Sequence, residues 1–204
     1  MTFKEIVYDW GGYNAEIFYA INGLGHAGLQ TAMTYISMFG HPRIFILYII
    51  IISAYACYDA RVRLKNPKIT TKQKEWLKVV TVLILAYYID LIWVHILKVY
   101  IYLPRPALIL PTGTVHQLVS ESHYSSFPSG HTCFAMLMAA GLWPVLNKFG
   151  KACAIIYVSI IALSRIILGV HFPADVVIGA GLSLLSVLIV RKIIEKTVAK
   201  KKPS

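Results

Sequence analysis

Eight residues in three short clusters carry the chemistry open to this chain. Lys98 and Arg105 lie in segment 98–106 (KVYIYLPRP), Ser129, Gly130 and His131 in segment 128–131 (PSGH), and Arg165, His171 and Asp175 in segment 164–175 (SRIILGVHFPAD). The cations suit a phosphoryl group: arginine's planar fork matches its oxygens, and lysine adds a compact point charge. Ser129 and Gly130 open a helix directly after Pro128, where free backbone N–H groups and the helix dipole favour an anion. His171 precedes Asp175 by four residues at a loop-to-helix junction. An aspartate there accepts the imidazole N–H and fixes the tautomer, leaving the other ring nitrogen free to attack. His131, on another helix, is placed to protonate the departing oxygen and later to activate water. Each piece alone has a plainer reading, such as an arginine that snorkels to a membrane interface or a Pro-Ser-Gly that only starts a helix. Nucleophile, orienting carboxylate, acid and anion cage together call for phosphoryl transfer, with no metal or other cofactor required.

The elements that must position these residues are membrane helices. The chain of 204 residues is 57% hydrophobic and only 14% charged, with a mean hydropathy of +0.65. A soluble domain needs more surface charge than this, and several apolar runs approach the roughly 20 residues that cross a bilayer. The expected fold is all-α, a polytopic membrane protein forming a single domain over 1–204, without internal repeat or second domain. Six spans are expected, over 15–39, 44–58, 76–102, 129–146, 151–170 and 173–194. The first is interrupted by Asn22, Gly23, Gly25, His26 and Gln30, and reads alternatively as two half-helices lying partly in the interface. Pro42, Pro104, Pro106, Pro111, Pro128 and Pro173 punctuate the joins, and Pro144 is a candidate kink near the end of the fourth span.

A net charge of +11 invites a nucleic-acid reading, but the distribution of the cations answers it. With six spans, Lys4, the run from Arg61 through Lys65 and Lys68 to Lys78, Lys148, Lys151, and the tail from Arg191 to Lys202 all fall on one side. The positive-inside rule makes that side cytoplasmic. Only Arg43, Lys98, Arg105 and Arg165 fall on or toward the other. Topology therefore accounts for the charge, and the three clusters converge at the outer face. Ionisable residues at membrane depth are costly and mark functional sites. The expected setting is a bacterial inner membrane, with the C-terminus cytoplasmic and the active site facing the periplasm or exterior.

The pattern Lys98-x6-Arg105-Pro106, then Pro128-Ser129-Gly130-His131, then Ser164-Arg165-x5-His171-x3-Asp175 resembles the three-part signature of the type-2 phosphatidic acid phosphatase superfamily. The resemblance implies that His171 is the nucleophile of a phosphohistidine, with Asp175 orienting it and His131 as general acid. It also implies that Lys98, Arg105, Ser129, Gly130 and Arg165 bind the phosphate. Ser164 belongs to the pattern, with helix packing as apt a role as chemistry. The membrane helices point to the lipid branch of the family. Expected substrates are a lipid phosphate monoester or terminal pyrophosphate: undecaprenyl diphosphate, phosphatidylglycerol phosphate, phosphatidate or a lipid A phosphate. Two alternatives stay open, a phosphotransferase using the same phosphohistidine and, more distantly, a lipid transporter or flippase. The partners are the bilayer and the lipid substrate, not nucleic acid.

Other polar residues receive plainer readings. Asp90 is expected as a structural hydrogen-bonding partner and His95 as a satisfied interior histidine. The loop 107–127, with His116 and His123, is long enough for a lid or substrate rim. Trp10, Tyr13, Tyr100, Tyr102 and Tyr124 suit an interfacial aromatic belt. Cys57, Cys133 and Cys153 have neither disulfide nor metal-ligand spacing and read as buried small hydrophobes. The N-terminal MTFKEIVYDWGGYN lacks the pattern of a cleavable signal peptide.

Overall fold

Caps and prolines in the sequence set where most helices begin. A computed structural model describes residues 8–63, 71–117 and 125–200. Lys4, Lys65, Lys68, His123, Tyr124, Lys201 and Lys202 lie outside them. The described helices are α1 (Tyr13–Asn22), α2 (Ala27–Met38), α3 (Phe45–Arg63), α4 (Thr71–Tyr100), a short α5 (Pro106–Ile109), α6 (Gly130–Leu142), α7 (Lys148–Ile167) and α8 (Pro173–Lys200). No strand occurs among the described residues. Ser129 caps α6, and Asn147 caps α7 by accepting the Gly150 N–H at 2.8 Å. Proline opens α5 and α8, where its missing N–H costs nothing. Pro144 sits in a 3₁₀ turn, Trp143–Val145, that ends α6.

Four stretches are long and apolar enough to cross a membrane: Ala27–Tyr58, Gln73–Tyr100, Lys148–Ile167 and Pro173–Thr197. Helix α6, at 13 residues, is shorter and lies among them, packed on α4, α7 and α8. Nine of its residues are buried, mostly small ones such as Cys133, Ala135, Ala139, Ala140 and Gly141. Around it Phe45, Leu83, Ala86, Phe134, Leu137 and Val187 form one apolar core. A second core, with Phe18, Phe127, Ile166 and Phe172, lies near the polar clusters. The outer faces of α3, α4, α7 and α8 stay apolar, as Ile46, Ile50, Ile92, Ile155 and Leu188 are exposed. That is the surface a lipid solvent favours.

The first expected span, 15–39, does not form as one helix. Gly23, Leu24 and Gly25 end α1, and Gly25 is buried where a Cβ would stand 3.2 Å from the Ile167 carbonyl oxygen. Helix α2 then runs antiparallel to α7: Gln30 reaches the Ile167 carbonyl, Ser37 meets Arg165, and Tyr157 donates to the Phe39 carbonyl. Phe45 stacks on Tyr87 and Tyr55 meets Trp76, so α3 is antiparallel to α4 and continues in the direction of α2. One broken stretch thus makes one pass, and with the shorter α6 the described residues run through the bundle five times. Consequently α1 sits at the same end as the polar clusters, with Asn14 accepting the Ala174 N–H at 2.9 Å.

Several single residues also differ from expectation. Cys133 is buried, but Cys57 and Cys153 are exposed, and so is His95. A chain bathed in lipid needs no water-facing polar surface at mid-helix, so apolar context in sequence says little about which face is inside. Asp90 behaves as expected, buried between α4 and α8 and accepting from Ser183.

The contact between α8 and the start of α6 is unusually close. A Cβ on Gly179 would stand 2.9 Å from the Ser129 carbonyl oxygen and 3.2 Å from Cys133 Sγ. Backbone cannot yield there as a flexible side chain would. Gly179→Ala should therefore destabilise the protein by about 1–3 kcal/mol and lower activity by displacing Ser129. A thermal melt of the detergent-solubilised protein reads this, and an unchanged midpoint would contradict it.

Candidate active site

The site is assembled where the C-terminal ends of α4 and α7 meet the N-terminal ends of α6 and α8. Gly169 follows α7 with a φ of 70°, the left-handed conformation of a glycine C-cap. A Cβ there would also come within 2.7 Å of the His116 carbonyl. The turn folds back so that the Val170 and His171 N–H groups both donate to the Arg165 carbonyl, at 3.2 and 3.3 Å. His171 is thereby held over the first turn of α8.

Its ring is fixed from one edge. Nδ1 lies 3.3 Å from Asp175 Oδ2 and 3.2 Å from Ser126 Oγ. Ser126 in turn donates its hydroxyl to Asp175 Oδ2, and the Phe172 N–H donates to the same oxygen at 2.8 Å. Both neighbours of Nδ1 can only accept its proton, so Nδ1 carries the hydrogen and Nε2 is left with its lone pair. Burial, then the charges of Arg105, Arg165, Lys98 and His131, push the His171 ionisation well below its ordinary 6.5. Both effects favour the neutral ring, whose Nε2 keeps its lone pair. Tyr8 closes the floor: its ring meets Phe127 and Phe172 edge-on at 6.0 Å. Burial and Asp175 push its phenol far above the usual range, so it remains a protonated hydroxyl beside that carboxylate.

Three cations stand around this ring, each steadied by a neutral oxygen. Arg105 donates to the Val170 carbonyl at 2.7 Å, Lys98 to the Ser125 carbonyl at 2.8 Å, and Arg165 to Ser37 Oγ at 3.1 Å. Burial lowers the Arg105 ionisation, with Asp175 acting in the opposite direction. Arg165 and His171 are each 2% exposed and Asp175 is fully buried, whereas Lys98, Gly130 and His131 are half-buried. Access therefore comes from the side of Lys98 and His131.

The start of α6 supplies further donors. Of its first N–H groups, that of Ser129 goes to the Asp175 carbonyl at 3.0 Å and that of Thr132 to Ser129 Oγ at 3.5 Å. The N–H groups of Gly130 and His131 remain at the helix N-terminus for an anion. Ser129 Oγ accepts from Thr132 Oγ1 as well, which leaves its own proton to donate. Ser164 bonds the Ile161 carbonyl of its own helix at 2.7 Å and serves packing.

All eight sequence-selected residues gather at this end of the bundle. Sequence reasoning missed Ser126, Tyr8, Ser37, Asn22 and His41. Asn22 Nδ2 donates to the His116 and Ile167 carbonyls, and its Oδ1 accepts from the His116 N–H. It thus straps the described part of the loop 107–127 to α7. His41 meets the His131 ring edge-on, 4.9 Å between centroids. Among the described residues no group of three or more His, Cys, Asp or Glu side chains is arranged to hold a metal ion.

Known proteins share this fold. A crystal structure of LpxE from Aquifex aeolicus superposes with a TM-score of 0.71 at 29% identity, covering 88% of this chain and 95% of that one. A transmembrane PAP2 type phosphatidylglycerolphosphate phosphatase from Bacillus subtilis superposes with a TM-score of 0.67 at 26% identity, covering 89% and 86%. In sequence, undecaprenyl-diphosphatase BcrC of Bacillus subtilis is 28% identical over 80% of this chain and 75% of its own length. Phosphatidylglycerophosphatase B of Haemophilus influenzae is 34% identical over 38% of this chain, and the match spans about a third, 35%, of that relative's length. Residues 75–199, more than half of the sequence and all eight sequence-selected residues, match the family model of the PAP2 superfamily, and the chain belongs to that superfamily.

Proposed function

We propose that the protein is a membrane lipid phosphatase that removes a phosphate monoester or terminal phosphate through a phosphohistidine on His171. The observation that carries this reading is a neutral imidazole, tied at Nδ1 by Asp175 and Ser126, inside a cage of three cations that faces a second histidine. His171 Nε2 attacks the phosphorus. Arg105, Lys98, Arg165, the Ser129 hydroxyl and the Gly130 and His131 N–H groups hold the phosphoryl oxygens and offset the charge that develops on them. His131 enters as its imidazolium, a form the anionic substrate favours, and gives its proton to the departing oxygen. It then takes a proton from the water that cleaves the N–P bond, releasing inorganic phosphate. Relatives named as undecaprenyl-diphosphatase and phosphatidylglycerophosphatase support lipid phosphates as the substrate class.

The site end faces outward in this reading. Lys74, Lys78, Lys148, Lys151, Arg191, Lys192 and Lys196 lie toward the opposite ends of their helices, and the positive-inside rule places them in the cytoplasm. With five passes, residues 8–22 then lie outside with the site and the C-terminus lies inside. The lipid tail stays in the bilayer while its phosphate enters among α4, α6, α7 and α8.

Release of inorganic phosphate from phosphatidate, phosphatidylglycerol phosphate, prenyl diphosphates and lipid A tests the reading. His171→Ala should lower kcat by roughly four orders of magnitude or more, the scale of losing a covalent nucleophile. His131→Ala should cost about a hundred- to ten-thousandfold, and vanadate should inhibit. Undiminished turnover by folded His171→Ala protein would end the phosphohistidine scheme. Ser126→Ala removes one neutral hydrogen bond, so kcat should fall up to about tenfold with KM little changed. The pH profile carries a separate expectation. Because His171 ionises below 6.5, it stays nucleophilic at and above that pH, and the rate falls as acid protonates it at lower values. Ring resonances of His171 titrating at or above 6.5 would contradict this.

A further inference from the structure

Arg43 and its neighbour His41 lie outside the three-part signature, and the scheme above gives them no task. Both belong to the turn between α2 and α3. His41 Nδ1 accepts the Arg43 N–H at 3.1 Å, so the neutral ring carries its proton on Nε2 as a donor. The ring stands edge-on to His131, with planes at 82°, and interacts electrostatically with Arg43 and with Arg165. The turn is packed to hold it there. Gly40 is buried, and a Cβ on it would lie 2.6 Å from Ile161 Cγ2 and 3.4 Å from the His131 carbonyl. Arg43 itself is exposed. Beside the turn lies a groove of about 40 Å³ whose lining includes Pro42, Tyr87, Leu91, Gly130 and Phe134, with Asp90 its one carboxylate and Leu91 on the exposed face of α4.

His131 marks the leaving-group side of the reaction. A simple monoester presents only a neutral alcohol and its apolar tail there, and an imidazole donor with an exposed guanidinium would have nothing to hold. A diphosphate presents a second phosphate bonded directly to the departing oxygen, with the tail beyond it. Resting on the lipid-phosphatase reading, we propose that His41 and Arg43 form a second phosphate subsite that holds the tail-side phosphate of a lipid diphosphate, while the first carbons of its tail lie in the Pro42–Gly130 groove. In the step, His171 Nε2 bonds to the terminal phosphorus as the bond from that phosphorus to the bridging oxygen breaks. The electron pair stays on the bridging oxygen, which takes the His131 proton and departs as a lipid monophosphate. Water then breaks the N–P bond, releasing inorganic phosphate and returning a proton to His131.

The test uses the full chain in detergent with three substrates: a prenyl diphosphate, the prenyl monophosphate of equal chain length, and phosphatidylglycerol phosphate. Arg43→Ala is a substitution at an exposed side chain. His41→Asn keeps an acceptor for the Arg43 N–H and removes the imidazole. In each variant the ratio of kcat/KM for diphosphate over monophosphate should fall roughly ten- to a hundredfold, the value of a charge-assisted hydrogen bond. A ratio unchanged from wild type, or a selective loss on phosphatidylglycerol phosphate, would overturn the subsite while leaving the phosphatase intact. Wild-type protein that releases phosphate from none of the three would instead refute the phosphatase reading, and the subsite with it.

Discussion

Positive charge held away from water at one end of a helical bundle is the constraint on which the rest of the structure turns. Lys98, Arg105 and Arg165 interact with one another and with His171. Among the described residues Asp175 is the carboxylate that answers them, and Ser126, Phe172 and His171 already occupy one of its oxygens. In a medium of low dielectric, like charges repel far more strongly than in water. Neutral oxygens moderate this: the carbonyls of Val170 and Ser125 and the hydroxyl of Ser37. They do not cancel it. Among the described residues the cage carries more positive than negative charge, and an anion with charge on several oxygens suits it. A transition state in which charge spreads over a phosphoryl group satisfies it better still, because the donors are fixed before the reaction starts.

Two of the oxygens that hold the cations belong to the chain neighbours of His171 and Ser126. Val170, which anchors Arg105, immediately precedes His171, and Ser125, which anchors Lys98, immediately precedes the serine on Asp175. The Arg165 carbonyl receives the His171 N–H, while its guanidinium reaches across to α2. Placing a cation and placing the His171 ring are therefore one structural event. A change at one member strains the others, and effects of substitutions here should not add.

The sequence made the signature residues legible because each cluster is local. His171 and Asp175 sit one helical turn apart, and Ser129 follows a proline at a helix start, so their nearness to one another could be read from spacing. What stayed hidden depends on tertiary contact. Ser126 lies 45 residues from His171, Ser37 lies 128 residues from Arg165, and nothing in their own neighbourhoods announces either. Tyr8 and Asn14 serve the site only because residues 8–22 fold at its end of the bundle. The expected six spans assumed otherwise. Hydropathy registers that 27–58 is apolar but not that Gly40, His41 and Pro42 break it without reversing its direction. The exposed His95 and Cys153 show the same gap, since lipid removes the polar-outside pattern by which a helix face is ordinarily read.

The shortness of α6 links this electrostatic arrangement to the membrane. Thirteen residues rise about 20 Å at 1.5 Å each, against a hydrocarbon core of about 30 Å. Its C-terminal end is fixed by Gly141 against Leu83 of α4. A helix that starts late places its N-terminus, with Ser129, Gly130 and His131, in a recess below the ends of its longer neighbours. Small side chains along α6 let α4, α7 and α8 close around that recess and aim their own polar ends into it. A phosphate must then descend to reach the N-terminal donors, shedding water as it does, while a tail can remain level with the surrounding lipid. Burial of the cations and the recessed position of the α6 N-terminus beside His171 both follow from the length of one helix.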